Sequence, residues 1–506
     1  MKEYKNTQEA VAELKKMQER MAAYSHASGM LYYDSVTGAP KETTEGRGHT
    51  MGIISEDSYR ILVNEDTPVL LDYLIANNDQ LDENTKLEVK ELKKDYDETS
   101  KIPVDEYVQY SILLNEAENI WHKAKIKSDY AMFEPYLAKI VATTIRFAGY
   151  LDPKKKPYDV WLNEFEEDLT MEVADRYFET LRAELVPLIK KVAKSKVKID
   201  DSFSHKNYAL NKQRKFSDYI MNVMTIDRDH CAIAETEHPF TINFNKNDVR
   251  ITTHYIKDNL VSSMFSVIHE GGHALYELNG GDEFMYTCLS GGTSMGIHES
   301  QSRFFENIIG RSEGFTGFLY PYLKKLFPSQ FKDVTKKMLL LAINKAEPSL
   351  IRTEADELTY SMHIMIRYEL EKKMISGELS TKDLPAEWNR LYKEYLGVDV
   401  PNDKEGCLQD SHWSGGAIGY FPSYSLGNAY SAQMLNAMKK DLNVDALTAK
   451  GDLKPIVEWL KEHVHKYSSS KKPPEIIRIC CNEDFEPHYY TDYLKEKFSR
   501  IYELKD

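Results

Sequence analysis

Residues 269 to 273 combine two histidines and a glutamate at a spacing suited to hydrolysis. His269 and His273 lie four residues apart, so on an α-helix both imidazoles reach one face and can bind the same metal ion. Glu270 would then stand beside the open coordination position, where a carboxylate can accept a proton from water. The pattern predicts a metal-dependent hydrolase with Glu270 as its general base.

Two adjacent glycines, Gly271 and Gly272, occupy the interior of the same predicted helix. Each glycine costs about 1 kcal/mol relative to alanine at such a position. A helix selected only for stability would not carry both. We therefore expect another part of the chain to pack closely against the backbone here.

A catalytic metal ion usually has three protein ligands and one position left for water. Glu299 is the best third candidate, because it lies in a second amphipathic pattern downstream of the histidines. Residues 280–296 between the two helices are rich in Gly, Ser and Thr, which predicts a loop over the site. His269, His273 and Glu299 are thus predicted to bind one divalent ion per subunit. Their nitrogen and oxygen atoms suit zinc, with cobalt and manganese as alternatives.

The elements that must position these residues are mostly helical. Residues 86–101, 111–148 and 171–197 have helical periodicity and few helix breakers. Residues 240–245 and 248–255 instead alternate with period two around a turn, which predicts a β-hairpin just before the metal-binding helix. An extended peptide could pair with such a sheet edge through backbone hydrogen bonds. The expected fold is mainly α, with a small β-sheet next to the metal-binding helix.

Composition indicates a large globular protein. The chain has 506 residues, of which 42% are hydrophobic and 29% charged, and it has no linker, repeat or low-complexity segment. We expect one domain over residues 1–506. Within it we expect an N-terminal helical region to about residue 198, a catalytic core at about 230–430 and a C-terminal helical region at about 431–506.

Charge and cysteine usage restrict partners and location. A formal net charge of -15 without a basic stripe argues against binding to nucleic acid or to an anionic membrane surface. The N-terminal residues enter an amphipathic pattern directly, unlike a signal peptide, and later apolar runs are too short to cross a membrane. The five cysteines have no metal-binding or disulfide pattern. These features predict a cytoplasmic protein.

Six short motifs occur in a fixed order along the chain. They are His238–Phe240, Asp248–Thr252, His269–His273, His298–Gln301, Ile351–Asp356 and Gly406–Trp413. In these motifs, and in weaker similarity over nearly the whole length, the chain resembles the M32 family of metallocarboxypeptidases. It departs from that family at Gly271, where an aromatic residue is common, and at Tyr33 and Phe305, where tryptophan is common. These departures concern the shape of subsites and local packing.

The resemblance implies a helical zinc-peptidase fold like that of neurolysin, and a homodimer. It also implies an enzyme that removes single residues from the free C-terminus of peptides with broad specificity. Such an enzyme needs a cation for the terminal carboxylate, and the planar fork of arginine suits that task. The family favours Arg352 over Arg250. For both arginines the alternative is a structural ion pair, and for Arg250 that alternative is preferred.

Further candidate substrate contacts come from the same motifs: His238, Gln409, His412 and the nearby Tyr420. These groups could donate hydrogen bonds to the developing oxyanion or to the peptide backbone. As lone residues, the two histidines would more often be ordinary core residues.

The metal-binding histidines also need acceptors for their second ring nitrogens. Asp356 and Glu306 are candidates that the sequence leaves unranked.

Two other functions are compatible with part of this pattern. A helical zinc endopeptidase would share the metal-binding helix and the downstream Glu299, but it would not need an arginine that binds the terminal carboxylate of the peptide. A non-enzymatic helical scaffold with a structural metal would normally have four protein ligands, often cysteines, and the chain has no cysteine motif to supply them. The cleavage rates of a peptide with a free C-terminal carboxylate and of its C-terminally amidated form distinguish an exopeptidase from an endopeptidase.

Overall fold

A computed structural model describes residues 3–504 of the chain. Its α-helices are α1 (Thr7–Thr37), α2 (Thr44–Leu62), α3 (Asp66–Ala76), α4 (Glu83–Lys101), α5 (Val104–Lys127), α6 (Glu134–Leu151), α7 (Pro157–Phe165), α8 (Met171–Ala193), α9 (Leu210–Val223), α10 (Leu260–Leu278), α11 (Met295–Arg303), α12 (Glu313–Leu326), α13 (Lys336–Ile343), α14 (Tyr360–Ser376), α15 (Leu384–Tyr395), α16 (Phe421–Asp441), α17 (Val444–Lys450), α18 (Lys454–His463), α19 (Pro473–Cys481) and α20 (His488–Ile501). The strands are β1 (Cys231–Glu235), β2 (Thr241–Asn245) and β3 (Asp248–Thr253). The expected domain of 1–506 includes four terminal residues that lie outside the described range.

The predicted fold, mainly helical with a small sheet, is confirmed. Residues 111–148 are predominantly helical, as predicted, and form parts of two helices, because α5 ends at Lys127 and α6 begins at Glu134. Ser128 has a φ of 53°, a left-handed conformation that ends α5. Ser128 is neither glycine nor proline, so residue type alone did not reveal the break.

The predicted hairpin is present next to α10. Strands β2 and β3 are antiparallel, with Asn243 opposite Val249. A third strand, β1, pairs with β3 in parallel and was not predicted, since its five residues are too few for a clear period. The strand order is β1-β3-β2, so β2 lies at an edge of the sheet.

Helices α10 and α11 approach each other closely. A Cβ atom added to Gly272 would lie 2.6 Å from the backbone of Gln301 and Ser302. At Gly271 the same atom would lie 2.8 Å from the side chain of Met224. Only glycine allows the first of these contacts without moving a helix, because the opposing atoms are backbone. The expectation of close packing at both glycines is confirmed.

Two hydrophobic cores occur among the described residues. The larger one runs from Ala117 to Tyr502 and contains α10 and α11. A smaller core joins α1, α3 and α4. Helix α1 reaches the sheet, where His26 stacks on Phe244 with ring centroids 4.5 Å apart. The division of the chain into domains stays a prediction. In residues 3–504, no helix combines the length and apolarity needed to cross a membrane.

Candidate metal centre and active site

The three predicted metal ligands converge on one point. The Nε2 atoms of His269 and His273 lie 3.9 and 3.6 Å from Oε2 of Glu299. The three candidate ligand atoms all lie within 4.8 Å of one another. Atoms bound tetrahedrally to one ion at about 2.0–2.2 Å are roughly 3.4 Å apart, so the spacing fits a single ion. Helix α10 supplies both histidines and α11 supplies the carboxylate.

The second ring nitrogen of His269 has a carboxylate partner. Its Nδ1 lies 2.8 Å from Oε2 of Glu306, which leaves Nε2 free to bind a metal ion. Glu306 belongs to a π-helical segment, Phe304–Gly310, that directly follows α11. The sequence left Glu306 and Asp356 as alternative partners for the metal-binding histidines. Glu306 makes the contact with His269, and Asp356 does not. Asp356 instead accepts hydrogen bonds from Thr359 and from the backbone of Glu347.

His273 is held by a longer relay. Its Nδ1 lies 2.8 Å from Nδ1 of His298, and Nε2 of His298 lies 2.5 Å from Oε1 of Glu277. If Nε2 of a neutral His298 donates to Glu277, its Nδ1 must accept the proton of His273. The lone pair of His273 Nε2 then faces the metal position. Such outer contacts fix both the tautomer and the orientation of a ligand.

Arg303 forms hydrogen bonds with the carboxylates of both Glu299 and Glu306. It donates to Oε1 of Glu299 at 2.6 Å and to Oε2 of Glu306 at 3.0 Å. Burial raises the pKa of Glu306, but Arg303, His269 and Arg311 outweigh burial and hold that pKa well below its usual range. Arg303 was not predicted, although it lies four residues after Glu299, the spacing of helical ion pairs.

The predicted base, Glu270, is buried beside the sheet. Its Oε2 accepts a hydrogen bond of 2.6 Å from the hydroxyl of Thr241 on β2. Burial raises the pKa of Glu270, while His269 and Thr241 oppose that rise. A raised pKa makes a carboxylate a better proton acceptor. Thr241 was missed because it lies 29 residues from Glu270 and no local pattern links the two.

Arg352 is buried in an ion pair and retains free donors. Its Nε and Nη2 donate to Oδ1 of Asp410 at 2.9 and 2.7 Å, and its Nη1 donates to the hydroxyl of Tyr360 at 3.3 Å. A guanidinium has five N–H donors. Among the residues that the structure describes, two N–H groups of Arg352 therefore have no partner, one on each terminal nitrogen. Asp410 also pairs with Arg367, so it does not depend on Arg352 alone.

Tyr360 connects Arg352 to the metal centre. The guanidinium of Arg303, which contacts Glu299, lies 4.6 Å from the centroid of the Tyr360 ring. The hydroxyl of the same tyrosine contacts Arg352. Tyr360 therefore lies between Arg352 and Arg303, and Arg303 contacts the predicted metal ligand Glu299.

Arg250 has a different environment. Its Nε and Nη2 donate to the two carboxylate oxygens of Asp248, each at 2.9 Å. The guanidinium lies 5.0 Å from the ring centroids of both Tyr33 and Phe244. These contacts match the structural ion pair that the sequence favours for Arg250.

His412 and Tyr420 lie together in the segment before α16. Their rings are 5.8 Å apart, and Tyr420 also packs against Phe165 at 4.9 Å. Burial lowers the pKa of His412 to about 4, so its ring is neutral near pH 7. Its Nε2 lies 3.3 Å from the hydroxyl of Tyr424, and its shielded Nδ1 has no hydrogen-bond partner within residues 3–504.

The other two candidate contacts are placed differently. His238 is exposed between β1 and β2. Gln409 is engaged inside the protein, because its carboxamide oxygen accepts from the Arg352 backbone and from Arg367, while its nitrogen donates to backbone carbonyls including that of Leu350. Substrate contact by His238 and Gln409 stays a prediction.

The assignment of Glu299 as a ligand predicts a loss of metal. Glu299→Ala should release metal on dialysis at free concentrations that keep the parent saturated, because one of three ligands is gone. Glu306→Ala should weaken metal binding only about 10- to 100-fold, the usual effect of losing an outer partner. Metal content after graded dialysis measures both, with the exposed loop variant Glu283→Ala as control. Full metal in Glu299→Ala together with loss in Glu306→Ala would reverse the assignment.

Comparison with known proteins agrees with this geometry. Residues 13–498 match the family model described as carboxypeptidase Taq (M32) metallopeptidase. Carboxypeptidase 1 of Bacillus subtilis is 43% identical over 486 residues, covering 96% of this chain and 97% of the relative. Thermostable carboxypeptidase 1 of Pyrococcus furiosus is 36% identical, covering 95% and 96%.

Solved structures show the same likeness in three dimensions. The crystal structure of an M32 carboxypeptidase from Deinococcus radiodurans R1 aligns with a TM-score of 0.95 at 30% identity, covering 98% of this chain and 100% of that chain. Similarity in sequence and in structure thus extends over nearly the full length. The chain therefore belongs to the M32 family of metallopeptidases.

Proposed function

We propose that this protein is a metal-dependent carboxypeptidase that hydrolyses the C-terminal bond of peptides and releases single amino acids with broad specificity. The observation that carries the proposal is a site in which three side chains able to bind one metal ion lie next to the buried carboxylate of Glu270, with Arg352 linked to them through Tyr360 and Arg303. Its membership of a family of metallocarboxypeptidases supports the same activity.

His269, His273 and Glu299 would hold one divalent ion per subunit. We propose zinc, with cobalt or manganese as alternatives, because two imidazoles and one carboxylate suit all three. When bound, such an ion would polarise the scissile carbonyl and would lower the pKa of a water molecule to about 7. The outer contacts of both histidines fit this role, since each Nδ1 is engaged and each Nε2 is directed to the centre.

Glu270 would move the proton during hydrolysis. Its carboxylate takes a proton from the attacking water and passes it to the departing amine, which must be protonated to leave. The hydroxyl of Thr241 holds one carboxylate oxygen at 2.6 Å and so orients the other. Because Glu270 is buried, its basicity is greater than that of an exposed carboxylate.

Arg352 would recognise the free C-terminus. Its two unengaged N–H groups can donate to both oxygens of a carboxylate, a bidentate geometry that arginine favours. His412 and Tyr420 would contact the peptide near the scissile bond, with His238, Gln409 and Arg250 as further candidate contacts. The edge strand β2 would pair with the peptide backbone, which is independent of substrate sequence.

We also propose a cytoplasmic homodimer. The five cysteines are free thiols, which is typical of proteins from a reducing compartment. The homodimer rests on the family resemblance. The partners would be peptides with a free C-terminus, not nucleic acid or a membrane, in keeping with the net charge of -15.

The proposal predicts a strong preference for a free terminal carboxylate. A peptide should lose residues one by one from its C-terminus, whereas the same peptide with a C-terminal amide should be cleaved at least about 10-fold more slowly, because amidation removes a charge-assisted interaction of about 1.5–3 kcal/mol. Mass spectrometry of timed digests measures both rates and identifies the products. A helical endopeptidase would instead cut both peptides internally at similar rates, and that result would exclude the carboxypeptidase.

A further inference from the structure

Residues 411–420, here called the 411–420 loop, carry His412 and Tyr420 between Asp410 and α16. The loop contains no α-helix or strand, so its position depends on contacts with other elements. Its beginning is fixed by Asp410, which pairs with Arg352 and with Arg367 of α14. The rest of the loop needs a second anchor.

Glu371 of α14 provides that anchor. Its side chain is fully buried, and its carboxylate accepts three hydrogen bonds. Trp413 Nε1 donates to Oε1 at 2.7 Å, while the Gly419 N–H at 2.9 Å and the Tyr158 hydroxyl at 2.8 Å donate to Oε2. Two of the three donors belong to the 411–420 loop. They lie near its two ends and on both sides of the sharp backbone turns at Gly415–Gly416.

Within residues 3–504, no cation forms an ion pair with this carboxylate, which is held by hydrogen bonds. Arg367, one turn earlier on the same helix, directs its guanidinium to Asp410 instead. Burial raises the pKa of Glu371 to about 7, and the three donors oppose that rise. A buried carboxylate without an ion partner is unfavourable compared with an apolar residue of similar size. Its presence here is explained if the loop requires a side chain with two acceptor oxygens, because Trp413 donates to one oxygen and Gly419 to the other.

We propose that Glu371 is a positioning residue whose carboxylate holds the 411–420 loop, and with it His412 and Tyr420, against the substrate site. The first turn of α16, which directly follows the loop, also contacts Arg352, because the Arg352 guanidinium lies 5.6 Å from the ring centroid of Phe421 and 5.3 Å from that of Tyr424. Displacement of the loop would therefore change the positions of both His412 and Arg352. This inference rests on the proposed carboxypeptidase activity.

The test is Glu371→Gln, which keeps the size of the side chain and replaces one acceptor oxygen with an amide nitrogen. A carboxamide has one acceptor oxygen, so at least one of the two loop donors must lose its partner. We expect amide hydrogen exchange of the 411–420 loop to increase by about 10-fold or more, while exchange of α10 and α11 stays near that of the parent. We expect kcat/KM on a free-acid peptide to fall at least about 10-fold, mainly through KM, with metal content unchanged.

Two further variants separate positioning of the loop from general stability. Trp413→Phe removes one loop donor and keeps an aromatic ring, so it should reproduce the increase in KM and in loop exchange. Tyr158→Phe removes the donor from α7 and leaves both loop donors in place, so it should change kcat/KM by less than about 3-fold. Glu88→Gln changes another buried carboxylate, on α4, that bonds Gln18 far from the loop, and serves as the control. If Glu371→Gln does not fold, Trp413→Phe and Tyr158→Phe still decide the question.

The outcomes are distinguishable. The proposal is supported if Glu371→Gln and Trp413→Phe raise KM and loop exchange while Tyr158→Phe and Glu88→Gln do not. It is overturned if the loop variants keep kcat/KM within about 3-fold of the parent, if all variants lower activity in proportion to their melting temperatures, or if activity falls only as metal is lost. A parent protein without carboxypeptidase activity would instead refute the proposed function.

Discussion

Glu270→Gln is expected to lower kcat by at least about 100-fold while metal occupancy stays near that of the parent. The amide cannot accept a proton at neutral pH, and general-base effects are typically 100- to 10,000-fold. The replacement is nearly isosteric, and the Thr241 hydroxyl can still donate to the amide oxygen, so the fold around the site should persist. Glu270 is not among the three clustered ligand groups, so the metal should remain.

Steady-state kinetics together with metal analysis measures this result. Glu270→Asp is the matched variant, since it keeps a carboxylate but withdraws it by one methylene from Thr241 and from the water position. We expect its kcat to lie between those of the parent and Glu270→Gln. Parallel loss of metal and activity in Glu270→Gln would assign Glu270 a ligand or structural role instead.

Arg352→Ala is expected to lower kcat/KM on free-acid peptides by about 10- to 100-fold with metal content unchanged. The lost interaction with the terminal carboxylate is worth about 1.5–3 kcal/mol. The protein should tolerate the change, because Asp410 retains its ion pair with Arg367 and is not left as an isolated buried charge. Amidated peptides never make this interaction, so their slower cleavage should change little and the gap between the two substrates should narrow.

Arg250→Ala is the matched control for Arg352→Ala in the test of which arginine binds the terminal carboxylate. That arginine is also paired to an aspartate, but its contacts lie on β3 and against Tyr33 and Phe244. We expect Arg250→Ala to keep the preference for free-acid over amidated peptides. If Arg352→Ala keeps that preference and Arg250→Ala loses it, the arginine that binds the terminal carboxylate is Arg250.

The chemical centre could be predicted because its determinants are local in sequence. His269, Glu270 and His273 lie on one helical turn, so the helix period alone places them together. Gly272 was correctly predicted to mark a position where another part of the chain packs closely against the helix, because glycine inside a helix lowers its stability. The β2–β3 hairpin was predicted from a period of two and a turn, which are also local signals.

Contacts between distant segments were decided by the tertiary structure. The choice of Glu306 over Asp356 as the partner of His269 depends on how the π-helical segment after α11 turns its side chains, and both carboxylates were equally acceptable in sequence. Thr241 reaches Glu270 only because β2 packs beside α10. Strand β1 pairs with β3 in parallel, a pairing between segments that a turn pattern does not predict.

The sequence by itself determined which residues can bind a metal ion and accept a proton, because residue type and helical spacing are sufficient for that inference. The tertiary structure decided how those residues are held. His298 and Glu277 orient His273, and Glu371 accepts hydrogen bonds from a loop that begins 40 residues later along the chain. These contacts join elements that are far apart in sequence, and burial makes each hydrogen bond or ion pair more consequential because an unpaired polar group there is costly. Their geometry follows from the packing of whole helices, which no local pattern encodes.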